Sequence, residues 1–257
     1  MNNDGVRLLY FNAERNVGDE FGVDVVRKLS GKPVLRVVDL SKPHIVALGS
    51  ILTFATDQSR VWGTGLIEDR YCGGARDGRQ FYSVRGKRTY SKLLADGVNL
   101  PDLPLGDPGY LASCLFGHQK DSTPNFKLGV VPHYVDKNMD CFKRFCGHPE
   151  VLFIDVQKGV DHFFDCIKRC SCIASTSLHG LIFAESLGIP NVWIKASENI
   201  TGGDFKFMDW FSVCGAPQKS PLIINDSTTV AELTSNSELH GCEIDCDDLI
   251  KAFPVYD

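Results

Sequence analysis

Short apolar runs recur along the chain, and most are followed by a polar turn and then a segment with helical spacing. Residues 6–11 form the first such run. Residues 16–22 follow as a polar turn, and Val23, Val26 and Leu29 then keep a helical period as far as Gly31. Residues 34–40, 45–48, 60–62 and 81–84 predict further strands. The last leads past Arg85 and Gly86 into an amphipathic helix over residues 87–96, which Gly97 stops. Residues 103–105 run into Gly106-Asp107-Pro108-Gly109 and a short helix from Tyr110. Residues 69–80 are polar and glycine-rich, the composition of a mobile loop.

The polar, proline-containing stretch 117–126 interrupts this alternation, and beyond it the order restarts. Residues 127–131, 151–156, 171–174, 191–194 and 222–224 predict strands; residues 160–169 and 204–211 predict helices, and a helical tail closes the chain. Repeated strand-then-helix order in both halves implies parallel sheets with helices on both faces. The expected fold is α/β, with two Rossmann-like parallel-sheet domains, residues 1–120 and 121–257, facing a cleft. No sequence repeat relates the halves.

One stretch stands out chemically. Residues 175–190 (STSLHGLIFAESLGIP) place a polar turn between a strand and an apolar helix pattern. Ser177 suits the N-cap, and Gly188 followed by Pro190 suits the stop. His179 then lies in the first helical turn, where unpaired N–H groups and the helix dipole favour an anion. A histidine there can hold that anion and move a proton beside it, or simply cap the helix. Other strand ends repeat the theme. Asp19 and Glu20 open the first helix, as ligand groups in the crevice of a doubly wound sheet or as partners of the helix dipole. Gly49 lets backbone approach a ligand closely, and Ser50 adds a hydroxyl. Arg85 suits bidentate binding of a carboxylate or phosphate, or an ion pair with a neighbouring acid. Asp107 caps its short helix or faces the crevice. Asp245-Cys246-Asp247 has the look of an acidic metal motif, but at a helix start capping is the better reading.

Composition narrows the classes. The 257 residues carry a net charge of −5, so no basic footprint points to nucleic acid or an anionic membrane. No apolar run approaches the roughly 20 residues of a membrane span. The first residues lack a basic segment followed by an apolar one, so the expectation is a cytoplasmic protein. Ten cysteines are many for that setting, yet no Cys-x-x-Cys pair exists. They are expected to be free thiols without a bound metal.

Taken in order, several short segments resemble the polysaccharide pyruvyl transferase family over about residues 6–215. They are Asn16-Val17-Gly18-Asp19-Glu20, Gly49-Ser50-Ile51-Leu52, Val61-Trp62-Gly63-Thr64-Gly65 and Val84-Arg85-Gly86. Gly106-Asp107-Pro108-Gly109, Pro132-His133-Tyr134, the Ser-Leu-His-Gly core at 177–180 and Phe205-Lys206-Phe207 complete the set. The resemblance implies a GT-B-like fold and transfer of a pyruvyl group from phosphoenolpyruvate to sugar hydroxyls as a ketal. It implies His179 as the catalytic or donor-binding histidine, with Asp19 or Glu20 taking the sugar proton. Arg85 and Lys206 would bind the donor, with Ser177, Gly180, Ser50 and Gly49 around it and Asp107, His133 and Tyr134 in the cleft. The C-terminal half would be the donor side and the N-terminal half the acceptor side. The scheme needs no metal or cofactor. The chain is short for the family, and Met208-Asp209-Trp210-Phe211 follows its pattern only loosely. A nucleotide-sugar glycosyltransferase shares the implied fold, and a glycan-binding module without chemistry is a third reading.

Overall fold

The protein is described by a computed structural model covering residues 5–254; residues 1–4, on which the absence of a leader was judged, lie outside the described residues. In the first half, β1 (Val6–Leu9), α1 (Val17–Ser30), β2 (Val34–Arg36), β3 (His44–Ala47), β4 (Ser59–Trp62), β5 (Phe81–Ser83), α2 (Lys87–Ala95) and α3 (Ala112–Phe116) follow in order. The second half holds β6 (Phe126–Val131), α4 (Asp140–Lys143), β7 (Val151–Phe153), α5 (Val160–Ile167) and β8 (Cys170–Ser175). It continues with α6 (Leu178–Ser186), β9 (Asn191–Lys195), α7 (Phe205–Phe211), β10 (Leu222–Ile223), α8 (Val230–Ser235) and α9 (Cys246–Lys251).

Two five-stranded sheets result, with orders β2-β1-β3-β4-β5 and β10-β9-β8-β6-β7. All strand pairings between these elements are parallel, as two Rossmann-like units require. Counted within its own half, each sheet has the same order, 2-1-3-4-5. Each therefore reverses direction once, between β1 and β3 in the first and between β6 and β8 in the second. Adjacent loops diverge at such a reversal and leave a crevice at the strand ends. The halves are thus alike in topology although their sequences are not.

Local chemistry explains the element that borders both crevices. Asn16 caps α1 by accepting from the Gly18 N–H, and Gly31 ends it in the left-handed conformation, at φ 65°. The buried face of α1 carries Phe21, whose ring meets Phe116, Phe164 and Phe183 at centroid distances of 5.1, 5.4 and 5.1 Å. Those rings come from α3, α5 and α6, so one aromatic cluster joins the halves. Beside it the Val17 N–H donates to the Val156 carbonyl at 2.9 Å. On the other flank, Arg85 and Thr89 hold Asp209 of α7. The chain end also returns to the first sheet, where the Trp62 indole N–H donates to the Leu249 carbonyl and its ring packs on Phe253.

Two expectations need correction. The stretch 69–80 is not a mobile loop: Tyr71 and Ala75 are buried, and the Tyr71 hydroxyl donates to the Ala75 carbonyl at 2.7 Å. Its glycines let it lie flat on the core, with the Gly74 N–H bonded to the Ala55 carbonyl. The cysteines are not all free, because Cys214 and Cys242 form a disulfide. An isolated antiparallel bridge between those two residues brings them together. The other eight described cysteines are free thiols. Among the described residues no helix is long and apolar enough to cross a membrane, and Asp245 caps α9 through the Asp247 and Asp248 N–H groups.

Candidate active site

The two reversal points open onto one cavity of about 270 Å³. Asn16 and Asp19 reach it from the start of α1, and Gly49 and Ser50 from the turn after β3. From the second half come His133 and Tyr134 after β6, Ser177 and His179 at the start of α6, and Lys206 at the start of α7. The turn after β3 is strained: Leu48 and Gly49 both take left-handed backbone, at φ 49° and 71°. A leucine in that region is uncommon and is held there by its surroundings. The Gly49 carbonyl accepts from the Thr64 hydroxyl, the Gly65 N–H and Arg85.

His179 lines the cavity, and Asp107, expected in the cleft, lies behind it and does not reach the cavity. His179 lies in the first turn of α6 with only 6% of its surface exposed, and Asp107 is fully buried. The imidazole Nε2 lies 3.8 Å from Asp107 Oδ2, and neither atom has a hydrogen-bond partner among the described residues. Asp107 Oδ1 is engaged as the cap of the following turn, accepting from Gly109 N–H at 2.8 Å. Two buried polar atoms left facing each other are costly unless they share a proton or await a ligand. Burial pushes the Asp107 carboxyl up to about 7, against the pull of the Gly109 N–H and Arg85. Burial, with help from Arg85 and Lys206, lowers the His179 imidazole to about 3, so at neutral pH it is uncharged. Gly18 makes its position possible, because a Cβ there would overlap the imidazole.

The cavity wall supplies charge of both signs. Lys206 is 7% exposed and makes no hydrogen bond or ion pair among the described residues. Burial and then Arg85 lower its ammonium to about 8, while Asp19 and Asp136 oppose the shift. Asp19 is raised to about 7, chiefly by its desolvating surroundings and against the Phe11 N–H. Burial and Lys206 hold His133 down at about 3. Ser177 occupies the N-cap of α6 without a side-chain cap bond. Its own N–H is taken by the Ser175 hydroxyl at 3.0 Å. Because Ser177 makes no side-chain cap bond, the N–H groups of Leu178 and His179 find no acceptor among the described residues, which leaves a positive helix end beside Lys206, whose ammonium lies 5.5 Å from the Phe207 ring centroid.

Not every residue singled out in the sequence arrives there. Arg85 does not reach the cavity. It is fully buried and spends its donors on Asp209 (2.9 Å), Ser50 (2.7 Å), Leu66 (2.6 Å) and Gly49 (3.3 Å). The ion-pair alternative applies, and Arg85 acts on the site by fixing Ser50 and Gly49. Glu20 turns away from Asp19 and pairs with Arg15 at 2.7 Å, facing a separate groove. Gly180 packs α6 against β8, where a Cβ would strike the Ser175 hydroxyl, and it does not line the cavity. Asp209, Asp136, Asn16 and Gly18 were missed as site residues. Asp209 carried one signal: an acid inside the apolar run Phe205–Phe211 needs a buried partner. Asp136 accepts from the Ser197 hydroxyl at 2.6 Å and keeps one oxygen unpaired.

The sequence profile of the polysaccharide pyruvyl transferase family matches residues 69–198, just over half of the chain. The chain belongs to the polysaccharide pyruvyl transferase family. The matched region holds Arg85, Asp107, His133 and the whole β8–α6 crossing; Asp19, Gly49 and Lys206 lie outside it and join the family site through the fold. Among individual relatives, the uncharacterized protein L143 of Acanthamoeba polyphaga mimivirus is 34% identical over 219 residues, 82% of this chain and 75% of that protein. The succinoglycan biosynthesis protein ExoV of Rhizobium meliloti is 27% identical over 143 residues, 54% of this chain and 43% of ExoV. The family makes the protein a transferase that modifies glycans.

Proposed function

We propose that the protein transfers the carbon skeleton of phosphoenolpyruvate to two hydroxyls of a sugar, forming a cyclic pyruvyl ketal on a glycan. The observation that carries this reading is the compact cavity in which Lys206, an open helix N-terminus and His179 meet, with Asp107 buried behind the histidine. Its volume of about 270 Å³ lies at the small end of ligand pockets, roughly 300–1,000 Å³, which favours a small dianion over a nucleotide sugar. Family membership and the name of ExoV support a polysaccharide acceptor. The matched strand orders support a GT-B-like arrangement, with a domain boundary near residues 120–121, donor groups mainly beyond it and acceptor groups before it. An intracellular donor would place the reaction in the cytoplasm.

The chemistry requires one proton on the methylene carbon of the donor, two C–O bonds to its central carbon and departure of phosphate. Of the two hydroxyl protons released, one ends on the new methyl group and one on phosphate. Lys206 and the N–H groups of Leu178 and His179 would hold the donor's anionic groups. A bound dianion offsets the cations that depress His179, so binding raises its proton affinity. His179, backed by Asp107, then delivers the proton to carbon. Asp19, also on the cavity lining and raised to about 7, accepts a proton from the attacking hydroxyl.

A thermal-shift screen tests the donor. Phosphoenolpyruvate should raise Tm by binding only the folded state, and release of phosphate should require a glycan. Stabilisation by nucleoside diphosphates, with none by phosphoenolpyruvate, would mark the protein as a nucleotide-sugar glycosyltransferase instead.

A further inference from the structure

A second cavity of about 1260 Å³ runs between α1 and α5, separated from the inner one by the start of α1. Asp19 faces the inner cavity and Glu20 the groove; Phe11 and Asn16 line both. We propose that this groove binds the acceptor as an uncharged oligosaccharide, with the reacting sugar stacked on Phe11. This rests on the pyruvyl transferase reading and adds to it the path and class of the acceptor.

Five observations carry the proposal. Phe11 is 39% exposed, a large ring left open at the junction of the two cavities. The aromatic rings of Tyr10 and Phe116 line the same groove. Aromatic faces suit the C–H faces of a sugar ring, while paired carboxylate and guanidinium groups such as Glu20 and Arg15 suit its hydroxyls. Charge is balanced: acidic and basic side chains line the groove in equal number, which favours an uncharged ligand over a polyanion. The floor is built tightly. Gly159 takes φ 90°, and a Cβ there would stand 3.2 Å from the Arg15 guanidinium, so the loop before α5 lies directly on the Arg15–Glu20 pair. Finally, Phe11 and Asp19 line the inner cavity together. A sugar stacked on Phe11 would bring its hydroxyls next to that acid, while the rest of the glycan extends away from the donor.

Saturation-transfer NMR with uncharged gluco-, galacto- and manno-oligosaccharides, read beside the phosphoenolpyruvate thermal shift, tests this. The wild-type protein should bind at least one of them. Phe11→Ala should weaken that binding at least tenfold and Phe11→Trp should restore it. Asp161→Trp, at the exposed start of α5, lines only the groove. It should block the glycan while leaving the phosphoenolpyruvate-induced rise in Tm at its wild-type size. Glycan binding indifferent to Phe11→Ala and Asp161→Trp, or binding of anionic glycans alone, would overturn the groove assignment. Loss of the phosphoenolpyruvate effect in the wild-type protein would instead overturn the donor, with the glycan measurements still readable.

Discussion

Replacing Asp107 with asparagine separates a proton-holding acid from a structural cap. Asparagine keeps Oδ1 and so retains the bond from the Gly109 N–H, now 2.8 Å; what it removes is the titration. In the folded protein the Asp107 carboxyl is raised to about 7, against roughly 3.9 in an unfolded chain. The native state thus binds this proton more tightly than the unfolded state. Its contribution to stability is full below about pH 4 and is lost as pH rises through about 7. At roughly 1.4 kcal/mol per unit, the loss between pH 5 and pH 8 comes to about 2–3 kcal/mol. The asparagine variant lacks this contribution; Asp19 titrates in both proteins, raised slightly less in the variant because the Asp107 charge is gone. Urea unfolding of both proteins at pH 5, 6, 7 and 8, without donor, reads the difference. The variant should gain about 2–3 kcal/mol on the wild type across that range while losing at least about a hundredfold in transfer. Parallel stability curves within about 0.5 kcal/mol would show that Asp107 holds no proton at neutral pH. Full transfer by the variant would remove Asp107 from the mechanism.

His179→Ala should abolish transfer with little change in Tm, and a large drop in Tm with activity retained would mark it as a cap. Gly18→Ala should cost about a hundredfold in transfer by displacing the same ring, seen as a fall in kcat. Lys206→Met should weaken phosphoenolpyruvate about 10- to 100-fold by calorimetry. Wild-type affinity should decline as pH rises through about 8, where the ammonium loses its proton, and the variant's should not. Arg85→Ala leaves Asp209 charged and buried, so unfolding free energy should fall by about 3–5 kcal/mol. Unchanged stability with donor affinity lost would mean that Arg85 touches the donor after all.

The sequence by itself determined the alternation of strands and helices, because apolar runs, turn residues and caps are local signals. It also determined which crossings carry polar groups: Asn16 to Glu20, Gly49-Ser50, His133-Tyr134 and Ser177 to His179 all stand where strands end. It could not choose between Asp19 and Glu20. Neighbours on a helix point about 100° apart, and only the packing of α1 shows which of them faces the cavity. Nor could it show where a charge ends. Arg85 reads as a free cation until the fold brings Asp209 to it from another helix, and Lys206 reads much the same yet makes no ion pair among the described residues. Ser177 sits at the predicted cap, but its side chain makes no cap bond, so the helix end stays open. The disulfide and the facing of His179 with Asp107 are likewise contacts between distant segments. Such contacts depend on how helices of the two halves meet and on how the later segments fold back, and no local pattern encodes that.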